Sequence, residues 1–172
     1  FQKKNDELDV EEIKIINEDY DELWEKTKNY NSFIALRNSK YLNTLYSEKR
    51  FIKLKFSHNK EMVGWSISLC TKLNNHKQFG NMQLGSIVDC LSLKNYEVEI
   101  INKTTEILKK KGSNLIVSNQ SHIFWQNAFK KNIFIKGISN FIFASSKSLN
   151  DKIKTKNCMH ITRGDGDGPI NL

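Results

Sequence analysis

The stretch from Met82 to Gly112 constrains the fold of this chain more than any other part. Its first part, 82–90, is apolar and rich in β-branched residues, which predicts a buried strand. Its last part has helical spacing and ends in lysines before Gly112. The inward positions of this helix are Val98, Ile101, Thr105 and Leu108. Because a strand that leads through a polar turn into a helix often binds anions at the helix start, we expect the functional site here.

The remaining chain alternates strand and helix patterns around this unit. The predicted strands are 51–57, 62–73, 82–90, 114–118 and 133–145, and the predicted helices are 97–111 and 121–131. Shorter predicted elements are a strand at 13–16, a helix at 19–29, a second helical stretch capped by Ser32, and a last strand at 159–162. This order predicts an α/β or α+β sandwich with a mixed sheet.

The N-terminal residues lead to two predictions about the extent of the domain. The highly charged residues 1–12 are expected to be a linker or a frayed terminus, which leaves 13–172 as one domain. The chain begins with Phe1 and not with Met, so we expect an excised or processed segment whose partner domain is missing.

The net charge of +8 comes mostly from lysines that are scattered along the chain. They occur with abundant Asn and Ile, which is the composition that an AT-rich genome produces, and without any RNA-binding or zinc-finger motif. We therefore do not expect a nucleic-acid partner. No apolar run approaches the roughly 20 residues of a membrane span, and no signal peptide is visible, which favours a cytoplasmic protein.

The spacing of the cysteines and histidines does not match a metal-binding motif. Cys70 and Cys90 lie in apolar strand patterns and are interpreted as reduced core thiols. The sequence Asp165-Gly166-Asp167-Gly168 lacks the ligand pattern of an EF-hand. We expect neither a metal nor a nucleotide-binding P-loop.

The order of elements and several short motifs resemble the GNAT fold of acyl-CoA N-acyltransferases. The motifs are Arg37 with Tyr41-Leu42, Gly64-Trp65, Ile87-Val88-Asp89 and the closing run 160–168 (HITRGDGDG). Over residues 30–168 they are similar to the C-terminal lobe of bacterial surface-polysaccharide acetyltransferases. The resemblance implies a three-layer α/β sandwich with a mixed central sheet. It also implies transfer of an acyl group from acetyl-CoA or another acyl-CoA to an amine, such as an amino sugar or cell-surface precursor.

The expected donor-binding turn departs from the GNAT pattern. The family places small residues there, of the form Arg/Gln-x-x-Gly-x-Gly/Ala, so that backbone N–H groups reach the pyrophosphate. This chain has no glycine in the turn, whose residues are Leu91, Ser92, Leu93, Lys94, Asn95 and Tyr96. We expect these six residues to bind the donor through the helix start and Lys94.

The missing glycines leave two other functions open. One is a catalytically silent GNAT-like lobe that binds acceptor or docks on a partner domain or second lobe. The other is a basic RNA-associated module, like the transferases that use aminoacyl-tRNA on peptidoglycan precursors.

Asp89 and His122 are the candidate catalytic residues. Asp89 ends the predicted strand beside the turn, where partial burial would raise the pKa of its carboxyl and suit a general base for the amine. The plainer interpretation is a turn cap or a partner for a lysine. His122 opens a helix and would shuttle a proton, or it is only a helix-start residue.

Arg163, Asp165 and Trp65 are the candidate substrate-binding residues. The resemblance implies a docked tail, with Arg163 paired to a carboxylate and Asp165 or Asp167 near the acceptor side of the sheet. A free, solvated terminus is the alternative. Trp65 is either a core aromatic or a surface on which a sugar stacks.

Overall fold

The computed structural model describes residues 8–137, 143–153 and 158–166. The strands are β1 (Asp9–Ile13), β2 (Phe33–Ile34), β3 (Ile52–His58), β4 (Glu61–His76), β5 (Gly80–Ser92), β6 (Leu115–Ser118) and β7 (Met159–His160). The helices are α1 (Asp19–Thr27), α2 (Ser39–Leu45), α3 (Glu97–Lys110), α4 (Ile123–Lys131) and α5 (Lys147–Lys152). Short 3-10 turns lie at Lys28–Tyr30 and Arg163–Asp165.

Five strands form one mixed sheet in the order β1-β3-β4-β5-β6. All neighbours are antiparallel except β5 and β6, which run parallel from the pair Leu84–Leu115 to the pair Ile87–Ser118. The predicted adjacency of 82–90 and 114–118 is therefore confirmed. Strands β2 and β7 form a separate parallel pair.

Helices cover both faces of this sheet and give three layers. One core lies between the sheet and helices α3 and α4, and includes Phe56, Ile101 and Trp125. A second core lies against α1 and α2, and includes Leu42 and Trp65. The predicted α/β sandwich with a mixed central sheet is confirmed.

The change from strand to helix occurs where the sequence predicts it. Asn95 takes a φ of 76°, a left-handed conformation that asparagine tolerates better than most residues, and α3 begins two residues later. The buried face of α3 consists of Ile100, Ile101, Thr104 and Leu108. It is turned slightly from the predicted face, since Val98 and Thr105 are only half-buried.

The predicted strand at 133–145 is wrong for the residues that the structure describes there, and 138–142 lie outside them. Helix α4 instead ends in a Schellman motif, in which the Phe134 N–H donates to Phe129 O at 3.0 Å and Ile133 N–H to Lys130 O at 3.1 Å. Ile133 has the left-handed φ of 65° that this motif requires. The apolar residues therefore close the helix, and Phe134 packs edge-on against Phe129 at 4.9 Å.

The N-terminal predictions also need correction. Residues 9–12, expected to be frayed, belong to β1, which pairs with β3 at the sheet edge and follows the buried Leu8. The second helix begins later than predicted, because Asn38, not Ser32, caps it by accepting the Tyr41 N–H at 2.9 Å. Across the described ranges, no helix combines the length and apolar character that a membrane span needs.

Candidate active site at the open end of the sheet

Strands β5 and β6 diverge towards their carboxyl ends. Their pairing stops at Ile87 and Ser118, while β5 continues to Ser92 and the chain after β6 turns into α4. A cleft of about 20 Å³ lies beside this gap. Its walls come from the end of β5, the start of α3, the start of α4 and the 3-10 turn after α1; the lining residues are Thr27, Tyr30, Asn31, Leu91, Ser92, Lys94, Glu97, His122, Phe124 and Trp125.

The predicted donor-binding turn contributes to the cleft only in part. Leu91, Ser92 and Lys94 line it. Leu93 continues the sheet by donating its N–H to Val63 O at 2.8 Å, and the Tyr96 hydroxyl pairs with His58 Nδ1 at 2.8 Å. With Asn95 in the left-handed conformation, asparagine occupies the position where a glycine would serve most easily.

The charges around the start of α3 are mixed. Glu97 and Glu99 lie in the first turn, where their carboxylates complement the helix dipole. Lys94 Nζ lies 4.7 Å from the centre of the Tyr30 ring and so makes a cation–π contact. A pyrophosphate group bound here would gain the helix N-terminus but would lie near Glu97, which lines the cleft; Glu99 instead accepts the Leu8 N–H at 3.4 Å.

His122 is held in one orientation by the start of α4. It is the N-cap, and its Nδ1 accepts the Phe124 N–H at 3.2 Å. The residue is 4% exposed, and Nε2 is buried without a hydrogen-bond partner among the described residues. Burial and the nearby His160 lower the pKa of His122 to about 4. The imidazole is therefore neutral at physiological pH.

Asp89 is fully buried on the α1–α2 side of the sheet. Its carboxylate accepts the Tyr46 hydroxyl and the Cys90 N–H, both at 2.9 Å, and lies 2.7 Å from Arg37 Nε as an ion pair. Burial by itself would raise the pKa of Asp89, but Arg37, His160 and Tyr46 outweigh it and the pKa is lowered. The expected rise is wrong, because the sequence alone does not bring Arg37 to this carboxyl. A carboxylate held in this way is a poor general base.

The tail segment 158–166 is docked on the sheet through the same arginine. Arg37 Nη2 donates to both Asp165 oxygens, at 2.7 and 2.6 Å. Asp165 in turn accepts the Thr162 N–H at 2.9 Å and closes a capping box. Gly164 lies so close to Tyr46 that an added Cβ would be 2.0 Å from the tyrosine oxygen.

Two of the predicted substrate-binding residues have other contacts. Arg163, expected to pair with a carboxylate, is buried and donates to Ser86 Oγ at 3.0 Å; Arg37 makes the carboxylate pairs instead. Trp65 is 0% exposed and stacks on Tyr20 with ring centres 6.0 Å apart, so it offers no surface to a sugar. Asp167 lies outside the described residues.

His160 also reaches this site, although it was not among the candidate catalytic residues. Its Nε2 lies 3.8 Å from Asp89 Oδ1, and its ring centre is 6.2 Å from that of His122. The β7 strand brings it there, and the Ser121 N–H adds to the docking by donating to Ile161 O at 3.0 Å. The sequence shows a histidine beside a Gly/Asp-rich tail, but it does not show which residues that histidine contacts. Nowhere in 8–137, 143–153 or 158–166 do three metal-ligating side chains come together.

No protein-family model matches the sequence, and no curated protein sequence matches it. Several solved structures share its fold. A ribosomal-protein-alanine N-acetyltransferase from Brucella melitensis has a TM-score of 0.58 at 11% identity, covering 81% of this chain and 99% of that one. A GNAT family acetyltransferase from Staphylococcus aureus has a TM-score of 0.56 at 14% identity, with coverages of 81% and 99%. An aminoglycoside N-acetyltransferase in complex with CoA has a TM-score of 0.51 at 10% identity, also with coverages of 81% and 99%. This chain therefore has the fold of the GNAT acetyltransferases.

Proposed function

We propose that this chain is an acyl-CoA-dependent N-acyltransferase whose cleft receives the acyl end of the donor. The observation that carries the proposal is the parting of β5 and β6 after Ile87 and Ser118, with a cleft at the open end. Two of its walls carry buried polar atoms that have no partner among the described residues, Ser92 Oγ and His122 Nε2. Such atoms favour a ligand position, because buried polar groups are otherwise hydrogen-bonded.

The reaction joins an amine to the acyl group of a thioester. The amine lone pair attacks the carbonyl carbon, the carbon–sulfur bond breaks, and CoA leaves as the thiol after the amine has lost a proton. The protein supplies position and a hydrogen-bond donor for the carbonyl oxygen. We assign the amine proton to Glu97, because this residue lines the cleft whereas the carboxylate of Asp89 is ion-paired to Arg37.

For the acceptor we propose a primary amine on an amino sugar or related cell-surface precursor, handled in the cytoplasm. One protein of the same fold is an aminoglycoside N-acetyltransferase, and the motifs around Arg37, Asp89 and Asp165 resemble those of surface-polysaccharide acetyltransferases. The negative charge of Glu97, which lines the cleft, would also attract a cationic amine to this end of the sheet.

A silent lobe is the second candidate, and the start of α3 favours it. Glu97 lines the cleft and would oppose a pyrophosphate there, and Lys94 is already engaged with Tyr30. In that case the chain would bind acceptor, or dock on a second GNAT lobe that holds the donor.

Calorimetry with acetyl-CoA at up to about 1 mM, followed by thiol release with a panel of amino sugars, separates the two candidates. The expected result is saturable binding and amine-dependent release of CoA. Asn31→Trp should abolish both by filling the cleft, whereas Asn74→Trp, on the exposed β4–β5 hairpin, should change neither. A folded wild-type protein that gives no heat and releases no thiol would contradict the enzyme proposal and favour the silent lobe.

A further inference from the structure

We propose that His122 acts as a neutral hydrogen-bond donor, through Nε2–H, to the carbonyl oxygen of the acyl group. This role rests on the proposed function and differs from the proton shuttle that the sequence suggests. It makes His122 a catalytic residue that stabilises negative charge on the oxygen and takes no proton from the amine.

The tautomer follows from the helix cap. His122 Nδ1 accepts the backbone N–H of Phe124 at 3.2 Å, so its lone pair is occupied and that nitrogen carries no proton. A neutral imidazole has one N–H, which must then lie on Nε2. A base would need a free lone pair on the ring, and the cap removes it.

The Nε2 atom lies where a ligand in the cleft can accept its hydrogen bond. The atom is buried, has no partner among the described residues, and belongs to a side chain that lines the cleft. Ser92 Oγ, at the end of β5 on another wall of the cleft, is also buried and has no hydrogen-bond partner among the described residues. Ser92 therefore belongs to β5, and His122 to the start of α4 that follows β6, so the two groups lie on opposite sides of the gap that opens after Ile87 and Ser118. A thioester carbonyl entering the gap would satisfy both.

The surroundings keep the ring neutral. The charged and titratable groups near it are His160 from β7, Glu97 from α3, Lys94 from the turn, and the Asp89–Arg37 pair behind His160. This buried cluster also contains Asp165 and so carries one carboxylate more than Arg37 neutralises, yet burial of His122 and the neighbouring His160 still lower the pKa of the imidazole to about 4. A neutral donor costs no proton transfer when negative charge develops on the carbonyl oxygen.

The test uses two changes at this position. His122→Asn keeps an N-cap acceptor, but its shorter side chain holds the amide N–H short of the Nε2 position; Nε2-methylhistidine keeps the ring and the Nδ1 lone pair but removes the Nε2 proton. Both should lower kcat by about 10²–10³-fold, as loss of one oxyanion donor does, with KM and melting temperature nearly unchanged. His76→Asn, in the β4–β5 hairpin, is the matched control and should leave kcat unchanged.

A second measurement does not depend on activity. ¹⁵N NMR of the histidine rings in the wild-type protein should show His122 as the Nε2–H tautomer from about pH 5 to 8. A His122 found as the Nδ1–H tautomer, or variants that retain kcat within threefold, would overturn the proposal. An inactive wild-type protein overturns the catalytic role together with the proposed function, and the NMR result then still decides the tautomer.

Discussion

At the scale of single residues, the Asp89–Arg37–Asp165 cluster explains why the site is shaped as it is. Arg37 is fully buried, and although burial would lower the pKa of its guanidinium, Asp89 and Asp165 raise it above the usual value. The arginine thereby joins a β5 carboxylate to a tail carboxylate that lies 128 positions after the arginine itself in sequence. The motif resemblance picked out all three residues, but no local pattern predicts that they touch.

Arg37→Lys tests how much this cluster stabilises the fold. A lysine keeps the charge but loses the planar fork that reaches both carboxylates, so we expect the free energy of unfolding to fall by about 2 kcal/mol or more. Arg50→Lys is the control, since Arg50 pairs with Glu48 at the surface and should change stability by no more than about 0.5 kcal/mol. Urea unfolding measures both. Equal effects of the two substitutions would contradict the structural role of the cluster.

At the scale of elements, sequence periodicity correctly predicted the strand–turn–helix unit that carries one side of the cleft. Strand β5, the turn at Asn95 and helix α3 lie where the spacing indicated, because a period of two changes to a period of 3.6 within a few residues. It failed at 133–137, where Ile133 and Ile135 have the composition of a strand but are 90% and 95% exposed. Composition cannot show that Phe134 turns back onto Phe129 and ends the helix there.

The tail is an element whose contribution can be measured directly. Deleting 158–172 removes the Asp165 contacts to Arg37, the β7 pairing with β2, and His160, and it uncovers a buried arginine. We expect a loss of at least about 3 kcal/mol, because breaking a buried ion pair costs that much, and hence a melting temperature lower by roughly 6 °C or more. Differential scanning calorimetry checks this, and a synthetic 158–172 peptide added in trans should restore part of the loss. An unchanged melting curve would show the tail to be a dispensable end.

At the scale of the whole molecule, the candidate site is assembled from distant parts of the chain. The end of β5, the start of α4 and the docked tail meet only because β5 and β6 pair in parallel and then diverge. The order of elements was enough to predict the sandwich and the adjacency of 82–90 and 114–118. It was not enough to predict the protonation states, because the pKa values of Asp89 and His122 are set by burial and by Arg37, His160 and Tyr46 from across the fold.

These protonation states predict how the stability of the whole protein depends on pH. His122 is neutral in the folded protein down to about pH 4, whereas in the unfolded chain it takes up a proton below its usual pKa of 6.5. The unfolded state then binds more protons, so the stability that His122 confers is complete above pH 6.5 and is lost as the pH falls from 6.5 towards 4. The pKa of Asp89 is lowered as well, so its contribution is present above 3.8 and is lost at still lower pH, in the same direction.

We therefore expect the free energy of unfolding to fall by about 2 kcal/mol between pH 7 and pH 5 through His122 alone. Urea titrations of the wild-type protein and of His122→Asn across this pH range give the contribution of His122 as the difference in how steeply the free energy of unfolding depends on pH. The control is His76→Asn, a histidine in the β4–β5 hairpin. The asparagine variant should lose the steep part of the dependence, because it has no group that protonates on unfolding, whereas the control should keep it. Parallel curves for the wild-type protein and His122→Asn would mean that the imidazole is not held neutral, and would remove the physical basis for its role as a hydrogen-bond donor.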